Sequence, residues 1–217
     1  MYREMLPALR GDILEIGSGL GTFSEKIILD MSTHCHITLT EISSSYLEQL
    51  QNRFSSHNNV SIYKLDLNNK ADYDKVGHEK FDTIVAMNVL EHVKNDEFTL
   101  EQLYRLLKKH GMLVVLVPCH KFLYNVIDRN VGHFRRYTKK ELEHKIRKAQ
   151  FSIERMFYFN MFGIIGWYLN GNLAKKTQIN SAALKIFDRL VPLSQHIEKL
   201  TGKKVGLSII CYLKKEP

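Results

Sequence analysis

The sequence has few cysteines, and no two of them are close together. Its 217 residues include three, Cys35, Cys119 and Cys211, and none belongs to a CxxC pair. A disulfide framework or a cysteine zinc site is therefore not expected, and this usage suits a reducing compartment. Met1 is not followed by a basic segment and an apolar one, so we expect no signal peptide.

Long apolar runs are also missing. The longest uncharged stretch, residues 156–174, contains three asparagines and three glycines. A membrane-spanning helix needs about 20 mainly apolar residues, so we do not predict one here. The composition, 44% hydrophobic and 25% charged, is that of a globular protein. We expect a single domain over residues 1–217 and a cytoplasmic protein, with peripheral contact at the inner face of a membrane as an alternative.

The chain has a surplus of positive charge. Its formal net charge is +8, and basic residues are dense in "RRYTKKELEHKIRK", residues 135–148. This segment is either a solvated helix face or a surface that attracts an acidic partner, such as a phosphate-bearing substrate, an anionic lipid or nucleic acid. Charge alone does not choose among them.

Short apolar runs alternate with longer amphipathic ones. The predicted strands are Asp12–Ile16, His36–Thr40, Val60–Lys64, Phe81–Ala86, Met112–Val117, Phe151–Phe157 and Leu207–Leu213. The predicted helices are Thr22–Met31, Ser44–Ser55, Ala71–Val76, Asp96–Lys109 and Lys139–Ala149, the last capped by Thr138. Strands alternating with helices predict an α/β fold, a doubly wound seven-stranded sheet, mostly parallel with one antiparallel strand.

An insertion separates the last two strands, where a short hairpin would be enough. It covers residues 158–206, is rich in aromatic residues at its start, and contains a predicted helix at Ser181–Leu190. It forms a lid or wall over a substrate, an apolar surface for a membrane or second subunit, or additional core.

A glycine-rich turn in "ILEIGSGLGTFSEKI" joins the first strand to the first long helix. Gly17, Gly19 and Gly21 occupy every second position, so a ligand can approach the main chain where side chains would obstruct it. The following helix offers free N–H groups and the positive end of its dipole. We therefore expect a nucleotide-like cofactor here. The spacing G-x-G-x-G differs from the dinucleotide fingerprint G-x-G-x-x-G, which counts against a nicotinamide cofactor.

Polar residues follow the next three strands. Glu41 ends the second strand and can accept from both hydroxyls of a ribose. Asp66 ends the third strand and is placed to accept from an adenine amino group. Asn88 follows the fourth strand in "FDTIVAMNVLEHV". The carboxyl ends of parallel strands meet at one edge of a sheet, so these groups should line one site.

With the motif "EIGSGLG", these features resemble the class I S-adenosylmethionine-dependent methyltransferases. The resemblance implies a Rossmann-like methyltransferase fold and S-adenosylmethionine as cofactor. Gly17 and Gly19 would pass near its methionyl part, Glu41 would bind ribose, Asp66 and Leu67 adenine, and Asn88 would lie near the sulfonium. The full set of expected cofactor residues is Glu15, Gly17, Ser18, Gly19, Gly21, Glu41, Ile42, Asp66, Leu67, Asn88 and Val89.

The loop after the fifth strand should carry the chemistry. It contains "DRNVGHFRRYT", which resembles a subgroup of these methyltransferases found beside or fused to bacterial glycosyltransferases of the polyprenyl-phosphate type. We expect His133 to be a general base, unless it only hydrogen-bonds the loop. His92 is a second candidate, or orders the cofactor side. Tyr124, Arg135, Arg136 and Tyr137 are the expected substrate-binding residues, although one arginine can pair with Asp128 or Glu141 and Tyr137 can belong to the core.

The predicted activity is methyl transfer to a small-molecule or lipid-linked acceptor, most simply at oxygen. No metal is expected, because His and Asp are not at metal-ligand spacing. An RNA methyltransferase is the first alternative, but the chain has no appended RNA-binding module, so nucleic acid is not the expected partner. A non-enzymatic cofactor-binding or scaffold protein is the second. An anionic membrane surface and an oligomer remain open as partners.

Overall fold

The computed structural model describes residues 1–31, 35–175 and 202–217. The predicted helix Ser181–Leu190 lies outside these residues, and so does the rest of the insertion beyond residue 175. The described part contains all seven predicted strands and forms one continuous sheet.

The sheet has strand order β3-β2-β1-β4-β5-β7-β6. Its strands are β1 Ile13–Ile16, β2 Ile37–Glu41, β3 Val60–Lys64, β4 Phe81–Met87, β5 Leu107–Pro118, β6 Phe151–Phe159 and β7 Ser208–Lys215. Strand β7 lies between β5 and β6 and runs antiparallel to both, while the other pairs are parallel. The predicted fold class, a mostly parallel doubly wound sheet with one antiparallel strand, is confirmed.

The α-helices of the described part flank this sheet or extend its loops. They are α1 Tyr2–Met5, α2 Thr22–Met31, α3 Ser44–Phe54, α4 Lys70–Val76, α5 Asp96–Leu106, α6 Val126–Asn130, α7 Lys139–Lys148 and α8 Gly163–Trp167. The predicted N-terminal cap of α7 is confirmed, because the Thr138 hydroxyl accepts a hydrogen bond from the N–H of Glu141 at 3.2 Å. No helix within the described residues is long and apolar enough to cross a membrane.

The largest differences from the predicted boundaries lie where α5 meets β5. The helix expected to run to Lys109 ends at Leu106, and Leu107 already begins β5. Leu107 is fully buried and pairs with Phe81 of β4. The register of the sheet therefore overrides the helical preference of the following lysines.

Two apolar clusters, one on each face of the sheet, make up the core. In β1, Leu14 and Ile16 contribute to one cluster, while Ile13 contributes to the other. Alternate side chains of a strand point to opposite faces, so a parallel strand covered on both sides is apolar throughout. This arrangement leaves the carboxyl ends of β1 to β5 as the edge at which loops carrying polar groups meet.

Candidate functional site

The glycine turn after β1 has positive φ angles, which residues with a side chain rarely adopt. Gly17, Gly19 and Gly21 have φ values of +69°, +55° and +77°. A Cβ at Gly21 would lie 2.5 Å from the ring of Phe54, whereas a Cβ at Gly19 would meet nothing within 4 Å. Gly21 is therefore required by packing against α3. Gly19 borders open space, where a ligand can approach the main chain.

Glu41 joins this turn to the end of β2. Its Oε2 accepts from the N–H of Gly19 at 2.9 Å. Its Oε1 accepts from the N–H groups of Ile42 and Ser43 at 2.8 and 3.0 Å. A carboxylate has about four acceptor positions. One is left for a ligand hydroxyl, where the sequence predicted that Glu41 would accept two.

Glu15 lies beneath the turn and is buried. Its Oε2 accepts from the hydroxyls of Ser24 and Ser18, at 2.5 and 3.1 Å. Burial raises the pKa of Glu15 to about 7, against the effect of these two hydrogen bonds. Glu15 and Ser18 were both expected to bind cofactor. In the structure they hold each other and the first turn of α2, so they shape the glycine turn from below.

A cleft opens beside the turn, and we call it the Glu41 cleft. It is lined by Ile16, Gly17, Glu41, Ile42, Leu65, Asp66, Leu67, Asn68, Val89, His92 and Val93. Six of the predicted cofactor residues are thus brought together from four strand ends. Sequence reasoning missed Ile16, Leu65, Asn68 and Val93 as lining residues, although each is one or two positions from a residue it named.

Asp66 is positioned by its own loop. Its Oδ1 accepts from the backbone and side-chain amides of Asn68, at 2.9 and 3.0 Å. Its N–H donates to Asp72 of α4 at 3.1 Å. Asn68 therefore orients the carboxylate toward the Glu41 cleft, and its adjacency to Asp66 was the only signal in the sequence.

A second cleft, which we call the His133 cleft, is separated from the Glu41 cleft by the loop that follows β4. Its lining includes Asn88, Leu116, Pro118, Val131, His133, Arg136, Phe159, Asn160, Trp167, Leu207 and Ser208. Asn88, which was expected beside the cofactor, lines this cleft and adopts φ +52°. Phe159 ends β6, and Asn160 and Trp167 follow it in the insertion, so the described part of the insertion forms a wall of the cleft.

Asp128 organises the His133 cleft from within. One of its carboxylate oxygens lies 2.8 Å from His133 Nδ1 and accepts from Arg136 Nε at 2.8 Å. The other accepts from the N–H of Asn125 at 3.0 Å and the indole N–H of Trp167 at 3.3 Å. Burial alone would raise the pKa of Asp128, but the hydrogen bond from His133 and the charge of Arg136 hold it below its usual value. The ionised carboxylate only accepts, so Nδ1 carries the hydrogen and Nε2 is left as the acceptor.

His133 Nε2 faces Glu91, which is fully buried. Nε2 and Glu91 Oε1 are 3.8 Å apart. Neither oxygen of Glu91 has a hydrogen-bond partner among the residues that the structure describes. Burial raises the pKa of Glu91 to about 8. The rings of His133 and His92 meet edge to face, with centroids 4.6 Å apart. His92 lines the Glu41 cleft, so the two clefts meet at this histidine pair.

The two arginines take different positions. Arg135 pairs with Asp96 at 3.0 Å and donates to the carbonyl of Lys94 at 2.7 Å. Arg136 is buried, bonds Asp128 and the carbonyl of Cys119, and packs on the Trp167 ring at 4.6 Å. Both arginines were expected to bind substrate, but only one of the two lines the cleft. It is Arg136, and its charge is already paired with Asp128.

The two tyrosines expected to bind substrate are structural in this arrangement. The Tyr137 side chain is fully buried, and its hydroxyl donates to Asp96 at 2.8 Å. Tyr137 therefore belongs to the core, which was the stated alternative. The Tyr124 hydroxyl donates to the carbonyl of His133 at 2.8 Å. It fixes the backbone that carries His133, a role that its spacing in the sequence did not indicate.

Part of the chain matches a family model and resembles segments of longer proteins. Residues 14–113 match the model of a methyltransferase domain. The chain is 33% identical over 137 residues to probable polyketide synthase 42 of Dictyostelium discoideum, covering 56% of this chain and 5% of the synthase. It is 37% identical over 106 residues to the hybrid PKS-NRPS synthetase poxE of Penicillium oxalicum, covering 48% and 3%. The chain thus spans only a small part of these relatives.

The solved structures share the fold over the whole chain. An S-adenosylmethionine-dependent methyltransferase from Mesorhizobium loti has a TM-score of 0.68 and 12% identity, with coverage of 98% of this chain and 95% of that one. One such enzyme from Archaeoglobus fulgidus has a TM-score of 0.64 and 16% identity, with coverage of 98% and 90%. These structures confirm the expected Rossmann-like fold, and the methyltransferase-domain match over residues 14–113 supports the expected cofactor, S-adenosylmethionine.

We predict that Tyr137→Phe lowers the free energy of unfolding by about 1–2 kcal/mol, because the Asp96 carboxylate loses a buried hydrogen bond. S-adenosylmethionine affinity should not change. Urea unfolding measures the first and calorimetry the second, with the exposed Tyr46→Phe as control. Unchanged stability combined with slower methyl transfer would show that Tyr137 acts on the substrate and not in the core.

We predict that Glu41→Ala weakens S-adenosylmethionine binding by about 1.5–3 kcal/mol, the value of a hydrogen bond to a charged group. The substitution also frees the N–H of Gly19 and loosens the turn. Isothermal titration calorimetry measures the change, with the exposed Glu48→Ala as control. Equal affinities would remove Glu41 from the site, and tight binding of NAD by the wild type would contradict the cofactor assignment.

We predict that Gly19→Val abolishes S-adenosylmethionine binding in a folded protein, because a branched side chain would fill the open space beside the turn. Gly202→Val is the matched control, since Gly202 has φ +64° and lies outside both clefts. Both variants carry the same backbone strain, so stability should fall similarly. If Gly19→Val binds cofactor as well as the control, no ligand approaches the main chain there.

Proposed function

We propose that this S-adenosylmethionine-dependent methyltransferase transfers the methyl group to an oxygen of a small-molecule or lipid-linked acceptor. In this proposal the Glu41 cleft holds the cofactor and the His133 cleft holds the acceptor. The observation that carries it is the contact between His92, which lines the first cleft, and His133, which lines the second. The methyl group would pass from the cofactor in the first cleft to the acceptor in the second across this junction.

Much of the catalysis would come from positioning. Methyl transfer from a sulfonium requires the acceptor atom in line behind the methyl group, and a bound pair in that geometry reacts as one molecule. The acceptor cleft is built for this, because Asp128 fixes His133, Arg136 and Trp167 in one network. The wall supplied by Phe159, Asn160 and Trp167 would help to exclude water.

His133 is the residue we propose to receive the proton of the acceptor hydroxyl. Its Nδ1 is held by Asp128, so Nε2 is the nitrogen that can accept. The Asp128 carboxylate orients the ring and would stabilise the imidazolium that forms. This is the arrangement of a positioned general base.

The surroundings of the acceptor cleft suit an amphipathic molecule. The segments that supply Val131 and Trp167 to its lining also present exposed apolar side chains, namely Phe122, Val131, Phe134, Ile165, Leu169 and Leu173. The ammonium group of Lys94 lies 6.0 Å from the Phe134 ring centre. Apolar surface beside cationic groups supports a lipid-linked acceptor with an anionic head, in agreement with the net charge of +8.

A carbon acceptor is the second candidate. It is favoured by the identity of 33–37% to segments of a polyketide synthase and a hybrid PKS-NRPS synthetase. An acidic carbon between carbonyl groups would also need a base, and His133 would serve equally. The carbon shift of a transferred ¹³C-methyl group distinguishes an O-methyl from a C-methyl product.

We predict that His133→Ala lowers methyl transfer by about 10²–10⁴-fold with nearly unchanged S-adenosylmethionine affinity. Radiolabelled methyl transfer into cell fractions identifies the acceptor class first: lipid extract, water-soluble extract or RNA. Single-turnover rates on the labelled fraction then measure the effect, with His144→Ala on α7 as control. A wild-type rate in His133→Ala would mean that positioning alone carries the reaction, and label in RNA would overturn the proposed acceptor.

A further inference from the structure

A buried carboxyl group without a partner lies at the junction of the two clefts. Glu91 is fully buried, and neither of its oxygens has a hydrogen-bond partner among the described residues. Buried polar groups are almost always satisfied, so an orphaned carboxyl needs an explanation. Methyl transfer as proposed above makes no use of it.

Two imidazoles lie close to this carboxyl. One ligand-type atom from each of Glu91, His92 and His133 can be chosen so that all three lie within 4.8 Å of one another. In one pair, His133 Nε2 and Glu91 Oε1 are 3.8 Å apart. Ligands at about 2.0–2.1 Å from a tetrahedral metal are about 3.4 Å apart, so small side-chain movements would close the set around one ion.

The ring of His133 is presented as that of a metal ligand. Asp128 accepts from Nδ1 at 2.8 Å, which leaves the lone pair of Nε2 directed at Glu91. Histidine ligands of metals usually donate their other N–H to a carboxylate in this way. Asp128 is ionised and itself held by Arg136, so the orientation is fixed before any ion arrives.

The backbone also holds the three side chains together. The N–H of Phe134 donates to the carbonyl of Glu91 at 2.8 Å, joining the loop after β4 to the loop that carries His133. The Tyr137 hydroxyl donates to the carbonyl of Leu90 at 3.2 Å. His92 is exposed, which gives an ion a path to the buried Glu91. A rigid set with an open side is what a metal site requires.

We propose that Glu91, His92 and His133 bind one divalent transition-metal cation, for which Zn²⁺ is the test ion. Two imidazoles and one carboxylate are a donor set that zinc accepts, with a fourth position open. That position would face the junction of the clefts, where an acceptor oxygen would replace water. The sequence predicted no metal, because Glu91-His92 and His133 are 41 positions apart and come together only in the fold.

This inference concerns the same site as the proposed function and would change one step of it. With a cation bound, Nε2 of His133 is coordinated and cannot receive the acceptor proton. The cation would instead bind the acceptor oxygen and lower its pKa, so that its proton passes to solvent. Cation binding is measured without cofactor or acceptor, so its failure would leave the methyl-transfer proposal untouched.

The test is titration of Zn²⁺ into untagged protein that has been stripped with chelator, followed by calorimetry. We expect one saturable site in the wild type. Glu91→Gln and His133→Ala should each weaken it by about 100-fold or more, since outer-shell changes alone cost about 10–100-fold. His144→Ala, outside the cluster, should bind as the wild type does. Co²⁺ should give the visible absorption of a site with fewer than six ligands, and lose it in the same two variants.

Glu91→Gln separates loss of the metal ligand from loss of the fold, because glutamine has the shape of glutamate and the variant should fold. Circular dichroism and thermal unfolding check this for each variant. Absence of saturable Zn²⁺ binding by the wild type would overturn the proposal. Equal binding by the wild type, Glu91→Gln and His133→Ala would overturn it as well, because the ion would then be held elsewhere.

Discussion

The buried carboxylate of Asp128 is the interaction on which the second half of the site depends. It engages His133, Arg136, Asn125 and Trp167, which come from three separate segments of the chain. An ionised group in the core is tolerated only with full hydrogen bonding and a counter-charge, and Arg136 and His133 supply both. These contacts offset the free-energy cost of burying the charge of Asp128. They also fix the tautomer of His133 and place Trp167 on the wall of the cleft.

Glu41 has the corresponding role on the other side of the junction. Its three backbone hydrogen bonds tie the glycine turn to the end of β2, so that the floor of the Glu41 cleft is formed before a ligand arrives. Glu15 supports the turn from beneath through Ser18 and Ser24. Preorganised polar groups need no rearrangement at the moment of binding, so less of the binding free energy is lost when a ligand enters.

The two clefts differ in what surrounds them. The Glu41 cleft is built at the ends of parallel strands, where the sheet order reverses between β1 and β4. The His133 cleft is closed by Phe159 at the end of β6 and by Asn160 and Trp167 from the insertion that follows. The ends of the strands therefore shape the Glu41 cleft, while loops and the insertion shape the His133 cleft.

Local signals in the sequence predicted the sheet, its seven strands and six of the residues that line the Glu41 cleft. Short apolar runs, glycines at a strand-to-helix turn and single carboxylates after strands are signals of this kind. Each can therefore be read within a few positions. Tertiary structure alone decided that Arg136 is paired with Asp128, that Tyr137 lies in the core, and that Asn88 faces the second cleft. It also decided that Glu91 and His92 meet His133. These outcomes depend on which loops pack together across the sheet edge, and no spacing along the chain encodes a contact between residues 41 positions apart.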